Sequence, residues 1–500
     1  MRFAMRFVIV LLVCMSFVAV AQPPQTDAAP ADPASPPVAI EDKDVALVAD
    51  DVLKGFETFW ASEENVSANA LALDIRQCVE TALSRNAQVL VADDEIAAAK
   101  ANIGQAESAR RPQVKVQEAF IRVDGLQNIE IPGLLGRLFG GGLNSFQGKK
   151  DQRRDVLSIS QVLFAGGQIQ AAVKASEYLA QSKEWTKQAK LNTLEFEVKQ
   201  AYYNCLLARA MVRVADESVV TFKRHLGDAE KMLEVGLISN FEVLRAKTEV
   251  GAREADLVAA GNAARLALIN LRRLLALPEN TDISLVGKMD WTPLSEAQDQ
   301  LVAEALETRP ELQALNKGLA AASQNIRRTK GQFLPSAAAS ATWTNVDGGG
   351  QAQPDGWTLS VGAEWQVYAG GKRRHDVAEA RAQKSSLEHQ IEDVKRLIEL
   401  DVRAAYIQAE DAAARVKKEK GTVELAREGR RLAELRFQEG VGTQTEILDA
   451  ALALTAAETA LVRAVHDYAV AVAAVDKAAG RGSVKSVEAA GPNVSREKSN

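Results

Sequence analysis

The residues of this 500-residue chain that carry reactive side chains are few and scattered. His225, His375, His389 and His466 stand apart from one another, and Cys14, Cys78 and Cys205 share no spacing with them. No H-E-x-x-H run or paired Cys/His spacing occurs, so the pattern gives no metal site. Residues 142–149 imitate a phosphate loop but carry Leu143 where the first Gly is needed and Lys150 where Ser or Thr must follow. No cofactor is implied, and no constellation supports an enzyme. The sharpest feature is an acidic pair, Glu446 and Asp449, three residues apart and so on one helix face near its start, where the helix dipole favours carboxylates. Helix-start stabilisation alone accounts for that placement; a charged ring made by several copies of the chain is the second reading.

These side chains are embedded in long helices. The net charge of -6 leaves no basic excess for a nucleic acid. The residues are 47% hydrophobic but only 5% aromatic, and alanine supplies much of the apolar content. That suits helices packed closely side by side. Arg2 and Arg6, the apolar run 7–20 and Ala19-Val20-Ala21 read as an export signal over 1–21, with Cys14 removed along with it. No later window is apolar enough for a spanning helix. Residues 22–69 read as a disordered leader and a short segment bearing Phe56, Phe59 and Trp60, and residues 479–500 as a polar tail.

The body is duplicated, as residues 70–278 and 279–478. Phe164-Ala165-Gly166-Gly167 recurs as Tyr368-Ala369-Gly370-Gly371, and Gly236-Leu237 with Glu242 recurs as Gly440-Val441 with Glu446, both at an offset of 204. Earlier in each half Arg85 aligns with Arg309 at an offset of 224. The first half carries 19 extra residues between Pro112 and Phe164, relative to the stretch from Pro335 to Tyr368, and this surplus coincides with the Gly-rich residues 125–150. Each half predicts a helix of roughly 35 residues, a Pro stop, two strands, a Gly-Gly turn, a helix of roughly 65 residues, a Gly turn and a long returning helix.

Strands are expected at about 113–124, 155–164, 336–346 and 357–368. In the last, Trp357, Leu359, Val361, Ala363, Trp365 and Val367 alternate with Thr358, Ser360, Gly362, Glu364, Gln366 and Tyr368. Such a period-2 pattern fits a strand with one lipid face and one polar lumen face. Phe120, Phe164, Trp343, Trp357, Trp365 and Tyr368 are the expected aromatics at the membrane interface. Four strands cannot close a barrel, and open edges in lipid are prohibitive, so several chains must share one sheet.

With these features in order and duplicated, residues 70 to 478 resemble the TolC family of outer membrane efflux proteins. The Tyr368-Ala369-Gly370-Gly371 turn, the Arg309-Pro310-Glu311-Leu312 break and the run from Arg436 through Gly440-Val441-Gly442-Thr443 to Asp449 carry the likeness. The resemblance implies a mainly α-helical chain with a membrane β-barrel. It implies a homotrimer with four strands per chain in a twelve-stranded barrel set in outer membrane lipid, and a helical tunnel in the periplasm. Implied partners are a periplasmic adaptor protein and an inner-membrane pump. The Gly236, Leu237, Gly440, Val441, Gly442 and Thr443 tips would meet the adaptor, Glu446, Asp449 and Glu242 would line the periplasmic aperture, and Gly166, Gly167, Gly370 and Gly371 would turn strand into helix. The alternative is a soluble periplasmic coiled-coil adaptor or scaffold.

Overall fold

A computed structural model of the chain describes residues 71–122, 151–287, 289, 294, 296–347 and 355–482, all within the unit Phe59–Asn500. The expected export signal, the leader and the inserted loop lie outside the described residues. The first half runs β1 (Leu71–Leu73), α1 (Ile75–Arg85), α2 (Ala87–Ser108), β2 (Gln113–Arg122), β3 (Asp151–Ala165), α3 (Gln168–Glu234), α4 (Asn240–Leu274). The second runs β4 (Ile283–Leu285), α5 (Gln298–Thr308), α6 (Pro310–Gly331), β5 (Ser336–Asp347), β6 (Gly356–Glu364), α7 (Lys372–Gln438), α8 (Gln444–Ala478).

The duplication is kept to the residue. Helices α3 and α7 both have 67 residues, and α4 and α8 both have 35, each pair offset by 204. Each 67-residue helix is ~100 Å long at a rise of about 1.5 Å per residue. Helices α1 and α5 both have 11 residues, and α2 and α6 both have 22. Their offset is 223, which makes Arg309 the counterpart of Asn86 rather than of Arg85.

Each opening stretch of roughly 35 residues is two helices, the second broken at the Arg309-Pro310 turn that helps carry the resemblance and the first at a point not foreseen. Asn86 and Arg309 are extended, with ψ of 133° and 123°. Pro310 disfavours helical backbone at Arg309. Asn86 instead uses its side chain: Oδ1 accepts from the Gln88 N–H at 2.9 Å and Nδ2 donates to the Leu274 carbonyl at 2.9 Å, which ties the break to the end of α4.

Each repeat has its own core below the sheet. In the first, Leu194, Val198, Tyr202 and Leu206 of α3, spaced four apart on one face, pack against Cys78, Ala82, Leu271 and Leu275. In the second, Ile398, Val402, Ala405 and Ala409 of α7 pack against Leu301, Ala305 and Val475. Val198 and its counterpart Val402 are both fully buried. The two Cys are core thiols, each pushed up to about 12 by burial. A parallel pair, β1 with β4 in register Leu71 to Ile283, was not foreseen; three residues are too few to show a period. The tail starts later than 479. Arg481 pairs with Glu296 at 2.7 Å and with Glu304 at 2.6 Å.

Candidate membrane sheet and tunnel mouth

The four remaining strands form one antiparallel sheet in the order β2-β3-β5-β6. Because side chains alternate, the register sorts them into rows on each face. One face carries Val116, Leu157, Trp343 and Trp357 in a row, then Val114, Ile159, Ala341 and Leu359, then Gln161, Ala339 and Val361. The other carries Lys115, Ser158, Thr342 and Thr358, flanked by Gln113, Ser160, Ser340 and Ser360. Val116, Leu359 and Val361 are each more than three-quarters exposed. An apolar face of that kind needs a non-aqueous neighbour.

The aromatics fall at two levels. Trp343 and Trp357 stand directly opposite each other, and Phe120 lies four residues beyond Val116, with the Arg153 guanidinium 5.8 Å over its ring. At the other end, strict alternation would turn Phe164 to the polar face. A bulge between Val162 and Phe164 resets the count, so Phe164 sits opposite Ala337 in an apolar row. Trp365 and Tyr368, expected inside the last strand, lie beyond it. β5 begins at Ser336, just after Pro335, so β6 runs out of partner at Glu364. The Trp365 indole N–H donates instead to the Phe333 carbonyl at 3.1 Å.

The Gly pairs turn each strand into its helix. Gly166 and Gly167 have φ of 56° and 79°, and Gly370 and Gly371 have 59° and 83°, a left-handed pair that costs a residue with a Cβ about 1–2 kcal/mol each.

At the far end, both hairpins close with the same capping pattern. Gly236 (φ 75°) donates to the Leu233 carbonyl and Leu237 to that of Met232. Gly440 (φ 74°) and Val441 do the same with Phe437 and Arg436. This double bond satisfies helix-end carbonyls. Leu237 and Val441 both project outward, 73% and 67% exposed. Thr443 caps α8 by accepting from the Glu446 N–H at 3.2 Å. Glu242 is half-buried, while Glu446 and Asp449 are exposed.

Two basic residues shape this mouth. Arg436 meets Glu446 at 3.4 Å across the turn, so among the described residues Asp449 is left as a carboxylate without an ion pair. Arg245 donates to Thr445 Oγ1 at 3.0 Å, joining the two hairpins. Behind them Phe222, Val250, Leu448 and Ala451 form a small shared core. Folding the sequence about its Gly turn places Arg436 beside Glu446; nothing in the sequence pairs Arg245 with Thr445.

An apolar sheet carried on paired ~100 Å helices defines a membrane-anchored conduit. The chain belongs to the outer membrane efflux protein family, which it matches over residues 78–277 and 301–481. It is 27% identical over 340 residues to the outer membrane efflux protein BepC of Brucella suis, covering 65% of this chain and 71% of that one. It is 25% identical over 333 residues to the alkaline protease secretion protein AprF of Pseudomonas aeruginosa, covering 64% and 67%. The Campylobacter jejuni CmeC outer membrane channel superposes with a TM-score of 0.69 at 16% identity, over 84% of this chain and 90% of that one. The protein is an outer membrane export channel with its helices in the periplasm, and the soluble adaptor reading is set aside. The matched relatives are channel and export proteins rather than enzymes.

Proposed function

We propose that three copies close one twelve-stranded barrel and one helical tunnel, and that the assembly is a passive duct with no chemical step of its own. A periplasmic adaptor docks on the Gly236–Leu237 and Gly440–Thr443 tips, and an inner-membrane pump supplies the energy. The observation that carries this reading is the sheet: one face is apolar and, among the described residues, both edges, β2 and β6, are open. Unpaired backbone in hydrocarbon costs several kcal/mol per group, so the edges must meet other edges. Glu242, Glu446 and Asp449 line the periplasmic aperture, and Phe120, Phe164, Trp343, Trp357, Trp365 and Tyr368 mark the two membrane boundaries.

The test is the mass of the detergent-solubilised protein by light scattering, followed by conductance in planar bilayers. Three chains per particle and steady channels are expected. Replacing Glu446 and Asp449 by Ala should raise conductance or weaken cation preference. A monomer that needs no detergent would overturn the assembly, and unchanged conductance and ion preference would overturn the aperture.

A further inference from the structure

We propose that β6 of each chain pairs with β2 of a second copy in a register dictated by the internal repeat. In that register Val361 lies opposite Phe120 of the partner subunit, Trp365 opposite Val116 of the partner subunit, and Tyr368 opposite Val114 of the partner subunit. The inference rests on the trimeric reading above and fixes how its seams are made.

The two hairpins obey one rule. Gln113 opposite Ser160 and Val114 opposite Ile159 become Ser336 opposite Glu364 and Ala337 opposite Ala363, a shift of 223 on the first strand and 204 on the second. The third pairing, β3 with β5, has no counterpart inside the chain. Its counterpart would join β6 to a β2, and the chain's own β2 lies at the opposite edge of the sheet, three strand spacings or ~14 Å away. A second copy must supply it. Shifting Leu157–Trp343, Gln161–Ala339 and Phe164–Ala337 by the same amounts gives the three seam pairs.

Two separate features of the chain fit this seam. β3 continues from Ser160 to Ala165 on β5 alone, whereas β6 stops at Glu364, the counterpart of Ser160. Residues 365–369 thus have no strand partner among the described residues of their own chain, and β2 of the next copy would supply one. In the helices, Ser182 Oγ donates to the Ala314 carbonyl at 2.8 Å. The shifted pair is Ser386 with Val91 of the partner subunit, and Val91 is 54% exposed on a face of α2 that this chain leaves uncovered.

The register also has an electrostatic consequence on the polar face. Gln366 falls opposite Lys115 of the partner subunit, which places that ammonium diagonally across from Glu364, at a Cβ separation of roughly 7–8 Å that long side chains span. Neither Lys115 nor Glu364 has an ion pair among the described residues of its own chain, and both are exposed.

Cysteine pairs read the register directly. In a Cys14→Ser background the two remaining thiols are silent, since Cys78 and Cys205 are buried with thiols pushed up to about 12. Oxidation of Val116→Cys/Trp365→Cys, and independently of Phe120→Cys/Val361→Cys, should give a ladder ending at three chains on a non-reducing gel. Both pairs are too far apart within one chain to bridge. The shifted pairs Val114→Cys/Trp365→Cys and Glu118→Cys/Trp365→Cys are displaced by ~7 Å along the strand and should react at least about tenfold more slowly. Fastest cross-linking in a shifted pair, or none in a particle that weighs three chains, overturns the register and leaves the trimer standing. A one-chain mass overturns the trimer and the seam together. As a second readout, Lys115→Glu should lower the temperature at which the trimer dissociates, and Lys115→Glu/Glu364→Lys should restore it. Failure of that rescue overturns the diagonal ion pair.

Discussion

The two Gly-Gly turns look identical in sequence but sit in different surroundings, which gives a prediction with a sign. A Cβ on Gly166 would collide with the Gly331 carbonyl oxygen and lie 2.8 Å from Leu334 Cβ, while a Cβ on Gly370 would meet nothing within 4 Å in its own chain. Both have positive φ, so Gly→Ala costs about 1–2 kcal/mol at either from backbone strain. At Gly166 the clash is with main chain at the end of α6, which cannot rotate away, and overpacking adds about 1–3 kcal/mol. Gly166→Ala should therefore cost ~2–5 kcal/mol against ~1–2 for Gly370→Ala. The seam does not cancel the difference. In the proposed seam the counterpart of Gly331 is Ser108 of the partner subunit, whose own Cβ would prevent an equally close approach at Gly370. Thermal unfolding of the two variants in detergent, followed by circular dichroism at 222 nm, checks the order. If Gly370→Ala is as destabilising as Gly166→Ala, the argument from close approach is wrong.

Other variants test the helical body. Asn86→Ala removes both the cap on α2 and the bond to the Leu274 carbonyl, and should cost about 2–3 kcal/mol in the same assay; a loss under half of that would mean water replaces both bonds. Burial raises the Glu458 carboxyl above its ordinary range, only partly opposed by Arg427 at 3.5 Å. The folded state then holds this proton more tightly than the unfolded state, so ionisation costs stability at every pH above the raised value, and the cost fades as pH falls into the ordinary carboxylate range. Glu458→Gln should raise the unfolding temperature at pH 7.5 and lose that advantage near pH 4; an advantage constant across this window would remove protonation as its cause.

How much of this was legible in the sequence depends on the period of each signal. The 67-residue helices show many turns of one pattern between Gly markers, close to the expected length of roughly 65 residues. The Trp357–Ala363 alternation is equally plain. Phe164 is expected among the membrane aromatics although alternation opposes it, and the bulge that sets it opposite Ala337 in the apolar row has no residue signature. Trp365 and Tyr368 were read into the last strand on the strength of their pattern, and in the isolated chain they lack the strand that would hold them there. Asn86 was invisible for a different reason. Its effect comes from a bond to Leu274, 188 positions away, and local propensity for Asn at that point says only that a helix can start.

The mouth is where the duplication was broken, and the break bears on how it closes. Asp449 in the second repeat occupies the place of Arg245 in the first, at the same offset of 204 that relates Glu446 to Glu242. In the proposed trimer these positions alternate around the axis, so opposite charges lie side by side where a fully duplicated mouth would set like charges against each other. Arg245 is already committed to Thr445 of the other hairpin, and Arg436 to Glu446. Exposed contacts of this kind are each worth about 0–1 kcal/mol. In the proposed trimer, a mouth held only by a few such contacts would sit within a few kcal/mol of opening, and an adaptor that prefers splayed hairpins by that amount would suffice to shift the population.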